Sequence, residues 1–93
     1  MTIYFSSEAE AQLDELATYL GTVWSQKAKT DFLALLVDKL ELISQMPELY
    51  RKSQKRIGLR ECVLNKHTIL YYRIQADEIE VVSLLSSHRG PDE

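Results

Sequence analysis

The periodicity of the chain changes once. Over residues 7–45 apolar side chains recur at helical spacing, and from residue 57 onward short runs rich in β-branched and aromatic residues take over. Ahead of both, TIYF (2–5) reads as a short first strand. Ser7 followed by Glu10 has the form of a capping box and predicts a helix start. Ala9, Leu13, Leu16, Ala17 and Leu20 then fall at i, i+4, i+7, i+8 and i+11, one apolar stripe. Glu8, Glu10, Asp14 and Glu15 lie off it, and acids in the first turns suit the positive end of the helix dipole. Gly21 offers one end for this helix, and Val23 or Trp24 a later one. Ser25 predicts the N-cap of a second helix over about 26–45, with Ala28, Phe32, Leu35, Leu36, Leu40 and Ile43 as its stripe. Pro47 ends it, because a proline disfavours helical geometry in the residue before it. So short a turn makes the two helices antiparallel neighbours.

Residues 48–56 are polar and basic and read as a loop. IGLRECVLN (57–65), TILYYRI (68–74) and IEVVSLL (79–85) read as strands, separated by Lys66-His67 and by QADE (75–78). Connections this short make antiparallel hairpins. The predicted class is α+β, in the order β-α-α-β-β-β, with a helical hairpin packed on one face of an antiparallel sheet. Leu13, Leu16, Leu20, Phe32, Leu36, Leu40 and Ile43 are the residues expected to face that sheet. The opposite sheet face is half polar and presents Arg60, Arg73 or, in part, both tyrosines of the Tyr71-Tyr72 pair, depending on register. The length of 93 residues suits a single domain, 1–93.

Composition narrows the function classes. An apolar fraction of 45% and a charged fraction of 27% are ordinary for a soluble globular domain. No apolar run approaches the ~20 residues needed to span a bilayer. The start of the chain has no basic, apolar leader, so a cytoplasmic location is expected. The one cysteine, Cys62, cannot form an internal disulfide and reads as a small buried hydrophobe. No His–Cys spacing suits zinc, and no metal site is expected. With no phosphate-binding glycine loop and no serine nucleophile motif, no cofactor is expected either. Net charge is −3, unevenly spread: residues 1–50 carry three Lys against eight acids, and residues 51–93 eight basic residues against six acids. The run RKSQKRIGLR (51–60) holds five basic residues and no acid. A mildly acidic chain is a poor general nucleic-acid binder, yet a local basic strip can meet one anionic partner.

The Ser-initiated helix with Ala9 and Leu13, Trp24-Ser25 at the hairpin turn, Pro47, an arginine in the first meander strand, NKHTILYYRI and Pro91 together resemble the RelE/ParE superfamily of type II toxin–antitoxin toxins. The resemblance spans nearly the whole chain. Its most specific part is Lys66-His67-Thr68-Ile69-Leu70-Tyr71-Tyr72-Arg73-Ile74 followed by Glu78-Ile79-Glu80-Val81-Val82. It implies the fold predicted above, a toxin role of the kind linked to plasmid stabilisation, and hetero-oligomerisation with a cognate antitoxin or self-association. It also implies one of two activities. RelE-like members cleave mRNA at the ribosome, and ParE-like members arrest growth by inhibiting DNA gyrase. A non-toxic, antitoxin-binding scaffold is a third possibility, since fold does not decide activity.

Metal-independent RNA cleavage needs a base, a cation for the phosphate and an acid for the leaving oxygen. If the chain is an RNase, the resemblance offers Arg60 as phosphate clamp and His67 and His88 as proton carriers. The bland alternatives are an exposed strand arginine, a solvated turn residue and a tail residue. For target binding the candidates are Arg51, Lys52, Lys55, Arg56, Arg60, Lys66, Arg73 and Arg89. The acidic chain, the sparse strand lysines and His88 in place of the usual C-terminal acid favour the ParE-like reading.

Overall fold

The structure, a computed structural model, describes residues 1–87. The expected elements form in the expected order: β1 (Thr2–Phe5), α1 (Ser7–Tyr19), a π-helical turn (Leu20–Trp24), α2 (Gln26–Gln45), β2 (Arg60–Asn65), β3 (Thr68–Gln75) and β4 (Glu78–Ser86). The strands make one sheet in the order β1-β4-β3-β2. β2, β3 and β4 form the antiparallel meander that their short connections dictate. β1 departs from the expectation: it runs parallel to β4, with Ile3 opposite Ile79 and Phe5 opposite Val81, so the sheet is mixed. The reason is connectivity. A hairpin reverses chain direction, whereas β1 reaches the meander through two helices and is free of that rule.

The N-cap of α1 is Ser6, one residue before the sequence reading. Its Oγ accepts from the Ala9 amide at 3.0 Å and donates to the Val82 carbonyl at 2.7 Å, and its amide donates to the Val81 carbonyl at 2.9 Å. Either serine can cap; the contacts to β4 select Ser6. Gly21 does not end the helix. The backbone continues as a π turn in which the Ser25 amide reaches the Leu20 carbonyl at 2.9 Å. A Cβ at Gly21 would lie 3.3 Å from Lys29 Cδ, a tight contact that a small shift of the lysine side chain relieves. Ser25 caps α2 as expected, its Oγ accepting from Ala28 at 2.9 Å.

Both helices lie on one face of the sheet. Ala9, Leu16, Leu20, Phe32, Leu36 and Ile43 bury against Cys62, Leu64, Leu70, Tyr72, Ile79, Val81 and Leu84, and Leu13 and Leu40 pack at the margin. Every helix position expected to face the sheet is thus in or against the core. No helix among the described residues is long and apolar enough to cross a membrane.

Candidate functional site

The segment 46–59 carries the chain from α2 to the β2 edge and is fastened to both faces of the sheet. On the helix side the Tyr72 hydroxyl donates to the Pro47 carbonyl at 2.7 Å. Arg60 is opposite Tyr72 in register and so stands on the same side. Its Nη1 donates to the carbonyls of Tyr50 at 2.8 Å and Glu48 at 3.4 Å. Tyr50 packs against the core that includes Cys62. Burial pushes the Cys62 thiol above its ordinary value, against the opposing pull of Tyr50 and Lys39. Burial likewise raises the Tyr50 and Tyr72 hydroxyls.

Residues 51–59 fold back along the start of β2. The Glu61 amide donates to the Arg51 carbonyl at 3.1 Å, Lys52 bridges Arg60, and the Ser53 amide donates to the Leu59 carbonyl at 2.7 Å. The buried Ser53 hydroxyl accepts from the Arg56 amide at 3.0 Å. Gly58, at φ 88°, supplies the backbone geometry that side-chain-bearing residues resist. From this loop Arg56 reaches across the face turned away from the helices. Its guanidinium lies 4.8 Å from the centroid of the Tyr71 ring, and Nη1 donates to the Ser83 hydroxyl. Tyr71 and Ser83 are cross-strand partners, both buried.

That open face is banded by register. One row across the sheet is Val63–Ile69–Leu85, and the next is Glu61–Tyr71–Ser83. Beyond it, past a bulge between Tyr71 and Tyr72, comes Arg73–Glu80–Tyr4. Arg51 Nε pairs with Glu61 at 2.8 Å, and Arg73 Nε with Glu80 at 2.7 Å.

The structure therefore brings Arg51, Arg56 and Arg73 onto one face and sends Arg60 to the other. Lys52 and Lys55 are exposed on the same loop as Arg56. Lys66 and His67 form the turn at the opposite end of β2, where Asn65 Oδ1 accepts from the His67 amide at 2.8 Å. They border a cleft of about 410 Å3 with Trp24, Phe32 and Asp31. His88 and Arg89 lie outside the described residues. β3 stands between β4 and β2, so β4 is not the neighbour of Arg60's strand. Among the described residues no group of three or more metal-ligating side chains forms. The sequence reading missed the Glu61–Tyr71–Ser83 row. Its signal was present: Ile69, Tyr71 and Arg73 alternate, and Ser83 is a polar break inside VVSLL.

A family model described as the ParE toxin of the type II toxin–antitoxin system, parDE, matches residues 3–91. The chain belongs to the ParE toxin family. This ParE-family toxin is 27% identical over 81 residues to Toxin ParE1 of Caulobacter vibrioides, covering 86% of this chain and 82% of that one. A chromosomal ParDE toxin–antitoxin system from P. aeruginosa superposes with a TM-score of 0.79 at 14% identity, over 95% of this chain and 97% of that one. A YoeB/ParE toxin from Agrobacterium tumefaciens gives 0.71 at 9% identity, over 95% of this chain and 100% of that one. At such identities the two structures speak to fold alone.

Proposed function

We propose that this ParE-family toxin arrests growth by binding a cytoplasmic protein target, with DNA gyrase the first to test, and that a cognate antitoxin neutralises it. The family match carries this reading. The open face supports binding over RNA cleavage. Glu61 and Glu80, both on that face, are each engaged in an ion pair with a guanidinium. Arg60 points to the helix side of the sheet, where its Nη1 donates to main-chain carbonyls.

The antitoxin reading follows from the family match, which is to the toxin of a type II toxin–antitoxin system. β2 is an outer strand whose first residues are covered by Arg51 and Lys52. The Glu61 amide points outward, so that of Val63, two residues on, does too. This edge is a template for an added antitoxin strand, with an antitoxin helix crossing the helical hairpin.

Inducible expression with and without the neighbouring reading frame tests the proposal, with DNA supercoiling and translation followed in parallel. Growth should stop with loss of negative supercoiling, and co-expression should restore it. Ribosome-dependent mRNA cleavage would replace the proposal with the RelE-like reading. Unimpaired growth with folded protein present would leave the non-toxic scaffold.

A further inference from the structure

Among the described residues, charge pairing on the open face leaves the guanidinium of Arg56 over. Arg51 has Glu61 and Arg73 has Glu80. Arg56 has only neutral partners among the described residues, the Ser83 hydroxyl and the Tyr71 ring. A guanidinium carries five N–H donors in a rigid fork, and the Ser83 bond uses one. Stacked on a buried tyrosine, that fork is held in place before any ligand arrives. Two residues further along the strands, about 7 Å away, lies the apolar row. Val63 is 56% exposed and Leu85 44%, with Ile69 between them. Beyond Arg56 in its own loop, Ile57 is 87% exposed.

We infer that this face docks an extended protein segment that sets one carboxylate on Arg56 and an apolar side chain, two residues along, on Val63, Ile69 and Leu85. The spacing is that of same-side positions in a strand, so one extended segment reaches both. A nucleic-acid strand fits poorly. It brings a phosphate with every nucleotide, whereas the described residues of this face offer one guanidinium without a carboxylate partner, flanked by the carboxylates of Glu61 and Glu80 and an apolar row. A carboxylate flanked by apolar residues matches both features, and Arg is well suited to binding it through two parallel bonds. This inference rests on the reading that the toxin acts by binding a protein, and it names the chemistry of the bound surface.

The test uses the full chain, 15N-labelled, and three probes followed by NMR. The first is a short capped peptide of alternating threonine and valine with one central glutamate. The second has glutamine in its place, and the third is a single-stranded RNA of equal length. The glutamate peptide should shift the Arg56 Nε signal and the amides of Val63, Ile69, Tyr71, Ser83 and Leu85 saturably. The glutamine peptide and the RNA should each bind at least tenfold more weakly. Arg56→Gln should abolish the shifts, and Leu85→Ser should weaken binding about fivefold; should Arg56→Gln fail to fold, Leu85→Ser decides. Equal binding of the two peptides, tighter binding of RNA, or no shift on this face would overturn the inference. Growth assays keep the two readings apart. If the wild type arrests growth and both folded variants arrest it equally well, the docking face is wrong and the binding-toxin reading stands. If the wild type arrests nothing, that reading falls and the peptide titration alone judges the face.

Discussion

Arg60 and Tyr50 are joined by a 2.8 Å hydrogen bond from guanidinium to main-chain carbonyl, on the side of the sheet that faces the helices. The cation that the family pattern singles out thus works as a strut between β2 and the loop after α2. Arg60→Ala should cost about 1–3 kcal/mol, because it strips a charged donor from a part-buried carbonyl. Urea unfolding measures this. Any loss of growth arrest should track the lost stability. A variant with full stability and no activity would return Arg60 to the contact surface.

Phe32→Ala should cost about 3–5 kcal/mol, since the ring is almost wholly buried between α2 and the sheet. Thermal or chemical unfolding reads the change. A loss under about 1 kcal/mol would mean that the site lies outside the core.

Ala76 opens the turn between β3 and β4 at φ 57°, a left-handed conformation that costs a residue with a Cβ roughly 1 kcal/mol. Glycine is the favoured residue at that position of a two-residue hairpin turn with one positive φ. Ala76→Gly should therefore raise stability, by up to ~1 kcal/mol, with growth arrest unchanged. A destabilised variant would show that the turn does not hold this geometry.

Cys62 gives stability an alkaline limit. Burial lifts its thiol above the ordinary value of 9.0, so the folded state keeps the proton that the unfolded chain has begun to lose. The unfolded state then binds fewer protons, and stability falls as pH rises. The contribution is intact below about pH 9 and is lost as the pH climbs toward the folded value. Tyr72 adds the same trend from its ordinary value of 10.0. Unfolding midpoints between pH 8 and 11 should decline for the wild type, and Cys62→Ala should delay the onset. A wild-type profile that stays flat across this range would contradict the buried thiol.

The helical half of the fold was legible because helix signals are local. Ser25, Pro47 and the leucine stripe each act within a few residues of themselves. The cap of α1 was not, because Ser6 and Ser7 are equivalent locally and only β4, far along the chain, distinguishes them. The direction of β1 was hidden for the same reason. The basic run 51–60 looked like one strip because it is continuous in sequence. Gly58 turns the backbone within it, and Arg56 and Arg60 end on opposite faces of the sheet. The two tyrosines separated as alternation requires: Tyr72 entered the core, and Tyr71 became the platform under Arg56.

Ser6 fastens β1 and the start of α1 to Val82, a contact that spans 76 residues. Until β4 exists, β1 has no strand to lie against, and the meander has nothing beside its last strand. Sheet closure pairs segments far apart in the chain, and pairings of that kind form slowly beside helices and hairpins. A chain interrupted before β4 lacks Ile79, Val81 and Leu84, and that part of the oily side of its helices stays uncovered. On the ribosome, the growing polypeptide stays unfinished as a binding surface until β4 has been made.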